Sequence, residues 1–118
     1  AAYLFLDAGH PPLLFCRNGG IQVVEENGLL LGVFAGAPYT NREITLARGD
    51  RLLLYTDGVT EAGGPERMFG DGKMHEVIRG GQLLESEHFA TALADEVRAF
   101  NGTAEQQDDI TVVVVDVT

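Results

Sequence analysis

Three groupings of carboxylates in this 118-residue sequence could do chemistry. In the first, the apolar run Arg51-Leu52-Leu53-Leu54-Tyr55-Thr56 ends at Asp57-Gly58. A buried strand that ends in an aspartate presents that side chain at a fixed point, and Gly58 lets the backbone turn away without a clash. An ordinary Asp-Gly turn has the same composition. In the second, Glu61 follows Asp57 by four positions, so a helical turn starting at Gly58 puts both carboxylates on one face. Two hard oxygen donors on one face suit Mg²⁺ or Mn²⁺, while acidic groups at a helix start are stabilising in their own right. In the third, Gln107-Asp108-Asp109-Ile110 sets two like charges side by side before a β-branched run. A nearby cation would relieve their repulsion, and a solvated acidic loop is the plain alternative.

Other chemistries lack their residues. The sequence has no glycine-rich phosphate loop and no His-x-x-x-His or Cys-x-x-Cys spacing, and its histidines are His10, His75 and His88. No serine sits in a nucleophile-elbow context, so metal-activated water is what remains. Eighteen acidic against eight basic residues give a net charge of −10, which repels nucleic acid and anionic membrane. The same charge attracts divalent cations, or simply keeps a surface solvated. Cys16 is the one cysteine; it cannot form an internal disulfide, and within Leu13-Leu14-Phe15-Cys16 it reads as packing. A reducing cytoplasm fits that pattern. No secretory leader is legible, and the apolar stretch from Leu29 to Pro38 is interrupted by Gly32 and Gly36 and is too short to span a bilayer. With 45% hydrophobic residues, the expectation is one compact, soluble domain.

The elements that must position these carboxylates follow from patterning. Tyr3 to Leu6 and Pro12 to Arg17 read as a strand pair around the turn Asp7-Ala8-Gly9-His10-Pro11. Asn18-Gly19-Gly20 predicts a hairpin into Ile21-Gln22-Val23-Val24. Arg42 to Leu46 alternates as a strand, Arg48-Gly49-Asp50 turns the chain, and Arg51 to Thr56 reads as a central, buried strand. Gly63 to Gly72 reads as a loop, with a short helix from about Lys73 to Ile78. Ser86, a plausible N-cap, opens a helix to Phe100 with Phe89, Leu93, Val97 and Phe100 on one face, and Asn101-Gly102 stops it. Ile110 to Val115 is the most strand-like run and is expected inside a packed sheet. The fold class is therefore α+β, an antiparallel sheet with helices on one face. Ala1-Ala2-Tyr3-Leu4-Phe5-Leu6 reads as a strand that begins at once, as though cut from something longer.

Five stretches, in order, resemble the motif string of the SpoIIE branch of PPM-type metal-dependent serine/threonine protein phosphatases. They are Asp7-Ala8-Gly9-His10-Pro11-Pro12, Leu31-Gly32-Val33, Gly49-Asp50 through Thr56-Asp57-Gly58-Val59-Thr60-Glu61-Ala62, Phe69-Gly70, and Asp108-Asp109-Ile110-Thr111. The resemblance implies a βα-sandwich in which two antiparallel sheets meet at an acidic cleft holding two Mn²⁺ or Mg²⁺ ions. By position it makes Asp57 and Asp108 metal ligands and Glu61 an accessory ligand of a third, weaker ion. Asp109 is the less favoured neighbour, and His10 stands where relatives outside this branch carry an aspartate. It also implies hydrolysis of phosphoserine or phosphothreonine by metal-activated water, without a phosphoenzyme.

The family's bridging aspartate and its neighbouring glycine lie upstream of anything in these residues. Residues 1–118 are accordingly expected to be the C-terminal portion of a single PPM-type domain, weakly active or inactive alone. The implied substrate is a phosphorylated regulatory protein, such as an antagonist of an anti-sigma factor. The alternative is a non-catalytic interaction or dimerisation module, hence a homo-oligomer, because half a sandwich leaves an apolar face and open strand edges.

Overall fold

The computed structural model describes residues 2–6, 13–24, 41–102 and 109–118, and for 2–6 and 41–44 the backbone alone. In chain order the elements are β1 (Ala2–Leu6), β2 (Leu13–Arg17), β3 (Gly20–Val24), β4 (Asn41–Thr45) and β5 (Arg51–Tyr55), then α1 (Asp57–Thr60), α2 (Gly70–Gly80), α3 (Ser86–Asn101) and β6 (Val112–Asp116). Four strands form one antiparallel sheet in the order β3-β2-β5-β6, and β1 and β4 form a separate antiparallel pair. The architecture is the expected α+β class.

Between β2 and β3, Asn18 and Gly19 both take positive φ, 50° and 79°. That is what a two-residue hairpin turn needs if its twist is to match the strands. β5 is an inner strand, with Leu53 opposite Leu14 on one side and Val114 on the other. Its alternation sorts two layers. Leu53 and Tyr55 face a core with Leu14, Val59, Phe69, Met74, Ile78, Phe89, Leu93 and Val97, so the helices cover this face. In α3, Phe89, Leu93 and Val97 are fully buried at four-residue intervals, each contributing about 1.5–3 kcal/mol of burial. On the other face Leu13, Phe15, Val24 and Leu46 cluster, with Leu52, Leu54 and Val117 against them.

At the entry of β5, two buried charged residues are tied down. Arg17 grips Asp50 with two guanidinium nitrogens, at 2.8 and 2.6 Å, and the Ala47 amide adds a third bond at 2.6 Å. Arg51 donates to both Asp116 oxygens, at 2.6 and 3.1 Å, and to the carbonyls of Gly81 and Leu84, with its guanidinium 4.7 Å from the Phe89 ring centre. These bonds join β5 and β6 to the turn before α3.

Four expectations are corrected. β1 pairs with β4, Tyr3 opposite Ile44, and not with β2; apolar patterning identifies strands, and partner choice depends on layers far apart in sequence. Among the described residues β6 is an edge strand, and Val113 and Val115 are 47% and 42% exposed, so the valine run is only half covered. α2 begins at Gly70, three residues before the expected start. Burial of Phe69, Met74 and Ile78 outweighs the roughly 1 kcal/mol that each helical glycine costs. Ser86 is the first helical residue of α3, preceded by Glu85 in extended conformation at the N-cap with no side-chain capping bond. The expected stop holds, with Gly102 at φ 56°. Among the described residues no helix is long and apolar enough to cross a membrane.

Candidate functional site

The pairing of β5 with β6 runs one residue beyond both strands and is closed there by a side chain. The Thr56 amide donates to the Thr111 carbonyl at 3.0 Å. The Thr56 hydroxyl accepts from the Thr111 amide at 3.0 Å and donates to the Asp109 carbonyl at 2.9 Å. One hydroxyl therefore joins the strand end that carries Asp57 to the segment that carries Asp109.

Asp57 then opens α1, a single helical turn seated by the buried Val59. The Glu61 amide donates to the Asp57 carbonyl at 2.8 Å, the i to i+4 bond that sets the two residues one turn apart. Both are exposed, and no ion pair among the described residues involves either. The expected helical turn is thus present, and it begins at Asp57.

Beyond Glu61 the chain is fastened to α3. The Gly63 amide donates to the Asn101 Oδ1 at 3.0 Å, and the Phe69 amide returns to the Ala62 carbonyl at 2.8 Å. Gly63 has φ 96°, and a Cβ there would lie 2.2 Å from the Arg67 carbonyl oxygen and 2.6 Å from the Phe100 ring, so only glycine fits. Phe69 meets Phe100 edge-on, with ring centres 5.6 Å apart.

The Asp57 and Glu61 carboxylates are hard oxygen donors, the type that suits Mg²⁺ or Mn²⁺. Among the described residues no three His, Cys, Asp or Glu side chains gather as a metal cluster. Asp109 is exposed at the end of the joined segment. Asp108 and His10 lie outside the described residues, as do the Asp7 to Pro12 and Leu31-Gly32-Val33 stretches.

The remaining notable groups sit at the opposite end of β5. The Arg17 hydrogen bond holds the Asp50 carboxyl down to about 2, helped by the Ala47 amide and the Arg17 charge against the cost of burial. Burial pushes the Cys16 thiol up, with the Arg51 charge pulling more weakly the other way. Gly49-Asp50-Arg51 is therefore the structural part of the long motif, and Asp57-Gly58-Val59-Thr60-Glu61 the part that presents carboxylates. A cavity of about 430 Å³ beside Cys16, Arg17 and Leu84 shares no residue with the carboxylate pair. Sequence reading missed the Thr56 hydroxyl and the Asn101 amide. The available signals were a threonine directly before Asp-Gly and an asparagine at a helix end, both types whose side chains bond to backbone.

The family model described as Stage II sporulation protein E (SpoIIE) matches residues 2–118. Protein IcfG from Synechocystis sp. is 26% identical over 113 residues, which is 94% of this chain and 18% of that protein. Phosphoserine phosphatase RsbP from Bacillus subtilis is 33% identical over 58 residues, 48% of this chain and 14% of that protein. A solved structure of the PP2C phosphatase domain and a fragment of the regulatory domain of the cell fate determinant SpoIIE from Bacillus subtilis superposes with TM-score 0.83 and 27% identity, covering 99% of this chain and 34% of that one. The phosphatase domain of the same protein, presoaked with Mn, gives 0.76 and 25%, covering 99% of this chain and 51% of that one. The chain thus spans less than a fifth of the length of these curated relatives, and about half or less of these solved chains.

Proposed function

The chain belongs to the SpoIIE family, and on that footing we propose that it is the C-terminal portion of a single metal-dependent phosphatase domain acting on phosphoserine or phosphothreonine of a regulatory protein. The observation that carries the reading is the strand end itself. β5 delivers Asp57 and Glu61, exposed and one helical turn apart, and Thr56 binds that turn to the segment bearing Asp109.

In this reading Asp57 and Asp108 hold Mn²⁺ or Mg²⁺ and Glu61 is an accessory ligand. When bound, such ions lower the pKa of water toward neutrality and stabilise charge on the oxygens of an in-line phosphoryl displacement. The chain's own residues would supply the negative charge that holds the ions, and the helical turn from Asp57 to Glu61 would space two of the donors. Cys16 is not a competing nucleophile, because it sits at the other end of the sheet with its thiol pushed up by burial. A phosphoserine substrate is supported by the relative named phosphoserine phosphatase RsbP. The specific class, an antagonist of an anti-sigma factor, and a cytoplasmic setting belong to the same proposal.

The test uses the intact protein that carries this segment. Asp57→Asn and Asp108→Asn should each abolish Mn²⁺-dependent hydrolysis of p-nitrophenyl phosphate, a larger loss than the roughly 10- to 100-fold typical of changes outside the ligands. Hydrolysis at the wild-type rate in both variants would sink the site assignment. The second reading, an interaction or dimerisation module, is favoured by the half-exposed Val113 and Val115 on the edge strand β6. Light scattering separates the two: the module reading requires metal-independent association that Asp57→Asn leaves intact.

A further inference from the structure

The four-residue helix α1 is far too short to hold its own geometry, since isolated helices need about 12–15 residues to be even marginal in water. Its N-cap residue Thr56 makes no side-chain capping bond to it. The entrance is held by the β5–β6 ladder and the Thr56 hydroxyl. At the exit the Glu61 amide holds the Asp57 carbonyl at 2.8 Å, and the local bonds that follow, Ala62 amide to Val59 carbonyl at 3.4 Å and Gly64 amide to Glu61 carbonyl at 3.3 Å, are long. The Gly63 amide instead crosses 38 positions of sequence to the Asn101 side chain, at 3.0 Å.

The helix end that receives it is anchored by packing. Val97, one turn earlier, is fully buried, and the neighbouring Phe100 ring is fixed edge-on by Phe69 and has the Arg67 guanidinium 4.9 Å from its centre. The same ring presses on Gly63, where a Cβ would come within 2.6 Å.

We propose that Asn101 is a positioning residue for the carboxylate pair: its side chain latches Gly63 to the end of α3 and so fixes where Glu61 and Asp57 stand. This rests on the metal-site reading above. It assigns a role in metal affinity to a side chain on another helix, 38 positions from the glycine amide it holds, which itself lies two residues beyond Glu61. A bond that merely finished α3 would matter to stability and leave metal affinity alone.

Calorimetric Mn²⁺ titration of the intact protein, alongside thermal unfolding, decides the matter. Asn101→Ala should weaken Mn²⁺ binding by about 10-fold, the low end for residues that orient ligands, and Asn101→Asp, which keeps the acceptor oxygen, should restore it. Asp57→Asn serves as the reference for a lost ligand. If Asn101→Ala binds Mn²⁺ like wild type while Asp57→Asn does not, the latch is refuted and the metal site stands. Wild type and Asp57→Asn binding alike would remove the metal site and the latch with it. Amide hydrogen exchange on the wild type covers the case in which Asn101→Ala does not fold. Protection at Gly63 that rises with Mn²⁺ supports the latch, because coupling is reciprocal, and an unprotected Gly63 amide in the Mn²⁺-saturated protein overturns it.

Discussion

Replacing Thr56 by valine conserves the branched shape of the side chain and removes one atom's worth of hydrogen bonding. The hydroxyl makes two bonds, 2.9 Å to the Asp109 carbonyl and 3.0 Å from the Thr111 amide. Each is worth about 0.5–1.5 kcal/mol net. Both lie on an exposed edge where water can replace the lost partner, so the sum falls at the low end, about 1–2 kcal/mol. The backbone bond from the Thr56 amide to the Thr111 carbonyl, at 3.0 Å, survives the change, so the strands stay paired. The expected result is a melting point lowered by a few degrees. Because the hydroxyl joins the two chain segments that carry the candidate ligands, Mn²⁺ affinity should also drop by about 10-fold. Thermal unfolding and calorimetric Mn²⁺ titration of the intact protein read the two effects separately. Thr56→Ser, which keeps the oxygen, should recover both. A Thr56→Val protein that is less stable yet binds Mn²⁺ unchanged would refute the reasoning, because it would leave the hydroxyl a structural role only.

Two further outcomes follow from the opposite end of β5. Arg51→Met leaves the Asp116 carboxylate and the Gly81 and Leu84 carbonyls without their donor. It should cost about 3 kcal/mol in urea unfolding, with Arg51→Lys recovering only part because an ammonium cannot bond bidentately. Asp50 has its folded-state carboxyl held at about 2 against an ordinary 3.8. Its contribution is complete above about pH 4 and is lost as pH falls through about 2. Melting points recorded from pH 5 to pH 2 should therefore fall more steeply for wild type than for Asp50→Asn, and parallel curves would contradict the assignment.

The strands and the long helix were legible because their signals are local. Asn18-Gly19 specifies its hairpin by backbone sign alone, and Phe89, Leu93 and Val97 specify the buried stripe of α3 by spacing alone. The one-turn spacing of Asp57 and Glu61 was legible for the same reason. What escaped reading depends on distant partners. Tyr3 opposite Ile44 is a pairing across about forty residues, and nothing in either strand names the other. The valines of β6 announce a strand without saying that one face stays half open. The early start of α2 is driven by Phe69 and Met74 finding the core, which overrides glycines that argue locally for a loop. Thr56 and Asn101 act on backbone atoms 55 and 38 positions away, distances at which composition is silent.

The place of β5 in the sheet also dictates when the carboxylate turn can exist. One flank of β5 is filled by β2, available early, and the other by β6, whose partner residues lie more than fifty positions later in the chain. During synthesis Asp57 therefore emerges well before the strand that must hold it, and both Arg51 and Thr56 wait for Asp116 and Thr111. Closing so long a loop is slow relative to helix formation. The geometry of the turn thus depends on contacts made across more than fifty positions of chain, and its acidic side chains have no fixed place until β6 is paired.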